Sequence, residues 1–182
     1  IGKIGKGNIK NLIAIKNARF SSEDTIIKAN KIDYDFINNV INVKGKNIEM
    51  AFEEGLIFSR KSLIFYNLDK KAMAEGNVFI KINNKGNVKA EKVSVTIDEK
   101  GEVLLVKAIN NVEIFLNELE QNLFSDEAIF DNSASRIDLI GNIVLYYGES
   151  FLKGDRAYID LENGISKISS DNKTNVSGTF TK

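Results

Sequence analysis

No cysteine, histidine, proline or tryptophan occurs among the 182 residues, and each absence removes a class of chemistry. Without cysteine there is no disulfide, thiolate nucleophile or zinc–cysteine site. Without histidine there is no imidazole base and no Ser-His-Asp triad. Charge of one sign is missing too: 25 basic residues balance 25 acidic ones, so nothing draws the chain as a whole to nucleic acid or an anionic membrane. No apolar run reaches the roughly 18–20 residues that span a bilayer as a helix. What is present is a globular composition, 43% hydrophobic and 27% charged. A chain of this length forms one domain that buries roughly 70% of its unfolded surface.

The informative pattern is a repeat. Short apolar segments follow Asn17, Asn47, Asn77, Asn111, Asn142 and Asn175, at spacings of 30, 30, 34, 31 and 33 residues. In the middle four units the apolar residues alternate: Ile48, Met50, Phe52; Val78, Ile80, Ile82; Val112, Ile114, Leu116; and Ile143, Leu145, Tyr147. Period two over that many positions predicts strands with one buried face. A second set of strands is expected at 27–34, 58–65, 88–95, 124–130 and 152–159, each an apolar residue, a small or polar stretch, then two apolar positions two apart. Asn38-Asn39, Asn83-Asn84-Lys85-Gly86, Glu99-Lys100-Gly101 and Glu162-Asn163-Gly164 supply the turns.

Repeats near this length also build helical arrays, but isoleucine, valine, phenylalanine and threonine at period two favour strands. The exception is 114–124, where Leu116, Leu119 and Leu123 fit one helical face; a short helical turn or long loop is expected there. Without proline, unpaired sheet edges need protection by charge, twist or a partner.

Candidate chemical sites have plainer readings. Gly2, Gly5 and Gly7 lack the strand and spacing of a phosphate loop and read as a flexible terminus. Asp33 and Asp35 alternate with Ile32, Tyr34 and Phe36, which places them on a solvent face, and adjacent Glu53 and Glu54 would point apart. Ser125-Asp126-Glu127 and Asp131-Asn132-Ser133 lack the spacing of a calcium loop. Asn172-Lys173-Thr174 and Asn175-Val176-Ser177 match the glycosylation pattern but read as turns. Lys28, Lys31, Lys44 and Lys46 read as a solvated edge.

The repeat itself resembles a family. Ile137-Asp138-Leu139-Ile140-Gly141-Asn142-Ile143-Val144-Leu145, Phe151-Leu152-Lys153-Gly154-Asp155-Arg156-Ala157-Tyr158-Ile159-Asp160 and Val176-Ser177-Gly178-Thr179-Phe180 resemble the strand motifs of the OstA/LptA-like proteins of lipopolysaccharide export, and Ala74-Glu75-Gly76-Asn77-Val78 echoes them. The resemblance implies an all-β jellyroll of two antiparallel sheets in a V-shaped sandwich. Residues 1–12 would be a flexible N-terminus and 13–182 the single domain.

The resemblance further implies a periplasmic carrier, not an enzyme, that needs no cofactor or metal and passes lipopolysaccharide acyl chains along an apolar groove. The groove residues would be Ile48, Met50, Phe52, Val78, Ile80, Val112, Ile114, Leu116, Ile143, Leu145 and Tyr147. Partners would be lipopolysaccharide and homologous jellyroll domains joined by edge-strand pairing, including head-to-tail copies of the chain, with no nucleic acid. An LptC-like domain of the same pathway and a structural β-repeat with a dry core are the alternatives.

Overall fold

The structure, a computed structural model, describes residues 9–170 and 175–179. Gly2, Gly5 and Gly7, the Asn172-Lys173-Thr174 sequence and Phe180 lie outside the described residues. The elements are β1 (Asn11–Ser21), β2 (Thr25–Asp35), β3 (Val40–Lys44), β4 (Ile48–Phe52), β5 (Gly55–Ser59), β6 (Ser62–Tyr66), β7 (Lys71–Ile82), β8 (Gly86–Ile97), β9 (Val103–Leu116), β10 (Gln121–Asp131), β11 (Arg136–Tyr147), β12 (Ser150–Asp160), β13 (Ile165–Ser169) and β14 (Ser177–Thr179). The fold is all-β and every strand pairing is antiparallel.

Two separate sheets were expected; one sheet is found. Its order is β13-β12-β11-β10-β9-β8-β7-β5-β4-β2-β3-β6, with β6 returning to β7, β1 on β2, and β14 on β12. This is the order of a meander with one closed ring, not of a jellyroll. The reason lies in the middle of each long hairpin, where the register slips between Ile15 and Ala18, Glu75 and Val78, Lys89 and Lys92, Phe124 and Glu127, and Ile140 and Ile143. At each slip an extra residue sits on one strand, so the strand bends and carries the chain into a second limb without leaving the sheet.

The recurring asparagines are these bulges. Asn17, Asn77, Asn111 and Asn142 have φ of +51°, +46°, +53° and +47°, the left-handed region that asparagine tolerates better than other side chains do. Asn47 instead falls in the break between β3 and β4, opposite the break at Arg60-Lys61 between β5 and β6. The strand expected at 58–65 is therefore two short strands.

The bulge also accounts for the irregular second set of strands. In β7 the buried positions keep one parity through the crease, with Ala72, Ala74, Val78, Ile80 and Ile82 all buried. In its partner β8 they change parity, from Val88 and Ala90 to Val93 and Val95. When two residues oppose one, a single inward face can be kept only if the return strand shifts by one residue. β2 and β10 shift in the same way, from Ile27 and Ala29 to Ile32, and from Leu123 and Ser125 to Ala128.

Residues 114–124 hold no helix. Ile114 and Leu116 end β9, residues 117–120 turn, and Leu123 lies on β10 opposite Ile114. A four-residue turn between two inward-facing strand ends reproduces the three- and four-residue spacing of a helical face. Four turns of the second limb share another device, an aspartate that accepts backbone N–H groups: Asp35 from Ile37 and Asn38, Asp98 from Lys100 and Glu102, Asp131 from Ser133 and Ala134, and Asp160 from Asn163. Asp131-Asn132-Ser133 is one of these turns. No cluster of three metal-ligating side chains occurs among the described residues.

Candidate functional site: the rim and its groove

Folding the sheet brings the turns of its two limbs together. One row comprises residues 22–24, 53–54, 83–85 and 117–120; the other comprises 67–70, 98–102, 132–135 and 161–164. Their contacts form a polar seam. Lys70 Nζ donates to Asp24, Val103 N donates to Glu54 Oε2 at 2.6 Å, and Lys85 Nζ donates to Asn132 Oδ1 at 3.0 Å. Lys85 also lies 3.9 Å from Glu54 Oε1 and 5.6 Å from the centre of the Phe130 ring. At Asp24 burial works to raise the pKa, but hydrogen bonds from Lys70 and Ser22 outweigh it and hold the carboxyl below its ordinary value.

Beyond Lys85 the seam gives way to a groove of about 470 Å³. Ile82, Val88, Ile114 and Leu116 form one wall and Val106, Phe130 and Ile137 the other, with Leu119 and Leu161 at the lip. Lys85, Glu118 and Glu162 stand at its mouth. That volume is within the roughly 300–1,000 Å³ of small-molecule sites. An apolar trough with charges only at the mouth takes up hydrocarbon and leaves a polar end in water.

Of the expected groove residues, only Ile114 and Leu116 line this groove. Leu145 and Tyr147 line a second hollow of about 130 Å³ beside Phe151 and Leu152, at the β11–β12 hairpin. Ile48, Met50, Phe52, Val78, Ile80, Val112 and Ile143 lie in the continuous core, none more than 7% exposed. Tyr147, the last residue of β11, is 67% exposed.

The residues that sequence reasoning missed sit on the return strands and turns. Val88 is the register partner of Ile114, and Phe130 pairs with both Val106 and Ile137. Following the inward face across each hairpin identifies them; Leu119 and Leu161, which lie in turns, carry no such signal.

The sheet edges are unevenly covered. β1 pairs only with β2, and Leu12, Ile13 and Ile15 on it are exposed. At the other end β13 and β14 cover separate stretches of β12.

No protein-family model and no curated protein matches the sequence. Among solved structures the fold is similar to that of LptH from Pseudomonas aeruginosa, described as the LptA homologous periplasmic component of the conserved lipopolysaccharide transport device. The TM-score is 0.55 and the identity 10%, over 64% of this chain and 87% of that one. The chain therefore shares with an LptA homologue an antiparallel all-β fold built of many strands.

Proposed function

We propose that the protein is a periplasmic, non-enzymatic carrier in lipopolysaccharide export, an LptA-like bridge whose folded sheet is a closed form of the family's V-shaped sandwich. The observation that carries this reading is the groove at the rim. Its apolar walls are continuous with the core, and it opens where the polar seam ends.

Each buried methylene contributes about 0.8 kcal/mol, so an acyl chain of about a dozen carbons gains about 10 kcal/mol on leaving water. That drives binding with no catalytic group. In this reading acyl chains enter beside Leu119 and Leu161, and the free edges of β1 and β13 pair with homologous domains or further copies head to tail. An LptC-like role in the same pathway uses the same groove.

A structural β-repeat with a dry interior is favoured by one observation, the near-complete burial of the seven core residues named above. Mass spectrometry of an organic extract of protein purified without detergent separates the two. A carrier yields acylated lipid in near-stoichiometric amount, and a dry core yields none.

A further inference from the structure

The outer surface of the crease carries a charge pattern that the zero net charge conceals. Where most long strands cross the fold through a bulge, β3/β4 and β5/β6 are interrupted at residues 45–47 and 60–61. The interruption leaves a depression made of two contiguous hollows of about 660 and 440 Å³, which share Lys46, Asn47 and Glu49. Arg19, Lys28, Lys46 and Arg60 line it against one carboxylate, Glu49. That carboxylate is taken by Lys28, whose Nζ lies 2.7 Å from Glu49 Oε1. Arg19, Lys46 and Arg60 have no acidic partner among the described residues, and just outside the depression Lys31 stands directly across from Lys44.

The depression is not lined by charge alone. Asn17, Asn30, Asn47 and Asn77 edge it, all exposed and each offering an amide donor and acceptor. Phe58 and Phe79, register partners with ring centres 6.3 Å apart, form an apolar floor beside Arg60. Cations alone would suit any anion. Cations with a dense set of amides and a partly exposed aromatic floor suit a molecule that has negative groups, many hydroxyls and a flat apolar face. A nucleic acid strand would call for a longer basic track than these three free cations supply.

We propose that this depression binds an anionic saccharide, a sugar chain bearing phosphate or carboxylate. Its negative group sits between Arg19, Lys46 and Arg60, its hydroxyls meet the asparagines, and one ring lies on Phe58 and Phe79. The site is on the outside of the crease and does not depend on the interior groove, so either can fail without the other.

The test is calorimetric titration of the full chain with phosphorylated mannopentaose, with neutral maltopentaose, inorganic phosphate and a five-residue thymidine oligonucleotide as comparators. The phosphorylated sugar should bind at least about tenfold more tightly than any comparator. Lys46→Gln with Arg60→Gln should weaken it by about tenfold or more, and Phe58→Ala should weaken it further while the melting temperature is kept. If the double variant equally weakens intact lipopolysaccharide and its acid-released saccharide, the ligand is a lipid headgroup; an effect confined to mannopentaose phosphate assigns a free polymer. Equal binding of phosphate or the oligonucleotide, or unchanged affinity in the double variant, overturns the proposal.

Discussion

Replacing Asn111 by alanine and by glycine tests whether the recurring asparagines are there for their backbone conformation. Asn111 is exposed, φ is +53°, and it forms the bulge at which β9 crosses the crease. An alanine forced into the left-handed region costs about 1–2 kcal/mol. Glycine adopts it freely but gains freedom in the unfolded chain, which costs about 0.4–1 kcal/mol. Asn111→Ala should therefore destabilise by about 1–2 kcal/mol, and Asn111→Gly by less than about 1 kcal/mol. For a domain of this size each kcal/mol moves the melting temperature by about 2–4 °C. Urea titration resolves the difference, since the midpoint should shift with an unchanged slope. Applied together at Asn17, Asn77 and Asn111, the alanine changes approach the lower end of the ~5–15 kcal/mol stability of a typical domain. Equal costs for alanine and glycine would refute the argument, because the asparagine would then be held by its side chain.

Three further outcomes follow from the packing and the seam. Leu123→Ala, at a position with no exposure, should cost about 2–5 kcal/mol by calorimetry. Gly86→Ala places a Cβ 2.0 Å from the Phe115 carbonyl oxygen at a φ of +148°, so β8 must move off β9; a loss of about 3 kcal/mol or more is expected. The Asp24 carboxyl has a folded-state pKa below its ordinary 3.8. Its contribution to stability is complete above that ordinary value and lost as pH falls through the lower, folded-state one. Asp24→Asn should flatten that part of an acid denaturation curve, and an unchanged curve would remove Lys70–Asp24 from the seam's stability.

The all-β class and most strand positions were legible because Val78, Ile80 and Ile82, like Val112, Ile114 and Leu116, alternate on strands with one buried face. Position along the chain was legible; sidedness across the crease was not. The asparagine repeat marked each crease, but a residue's φ is not written in a hydropathy pattern. The parity shift from Ala90 to Val93 therefore looked like a loose repeat instead of a fold in one sheet. The same fold decides the site. Phe52 and Leu116 occupy equivalent repeat positions and are both buried, yet only the second lines the groove, because the seam runs through Asp24, Glu54 and Lys85 and stops before Leu119. Which turns meet across the rim depends on contacts between residues about 50 positions apart, such as Lys85 with Asn132. No local pattern encodes those contacts.

The most direct test of the carrier reading is photo-crosslinking with benzoylphenylalanine at Leu116 and Phe130 in the groove, at Phe65 in the sealed core and at Met73 on the outer face. All four proteins would be incubated with labelled lipopolysaccharide at equal concentration. The groove account predicts labelled adducts from Leu116 and Phe130, with Phe65 and Met73 at background. Adducts of equal yield from Met73, or none from Leu116 and Phe130 in proteins that melt like the parent, would contradict it.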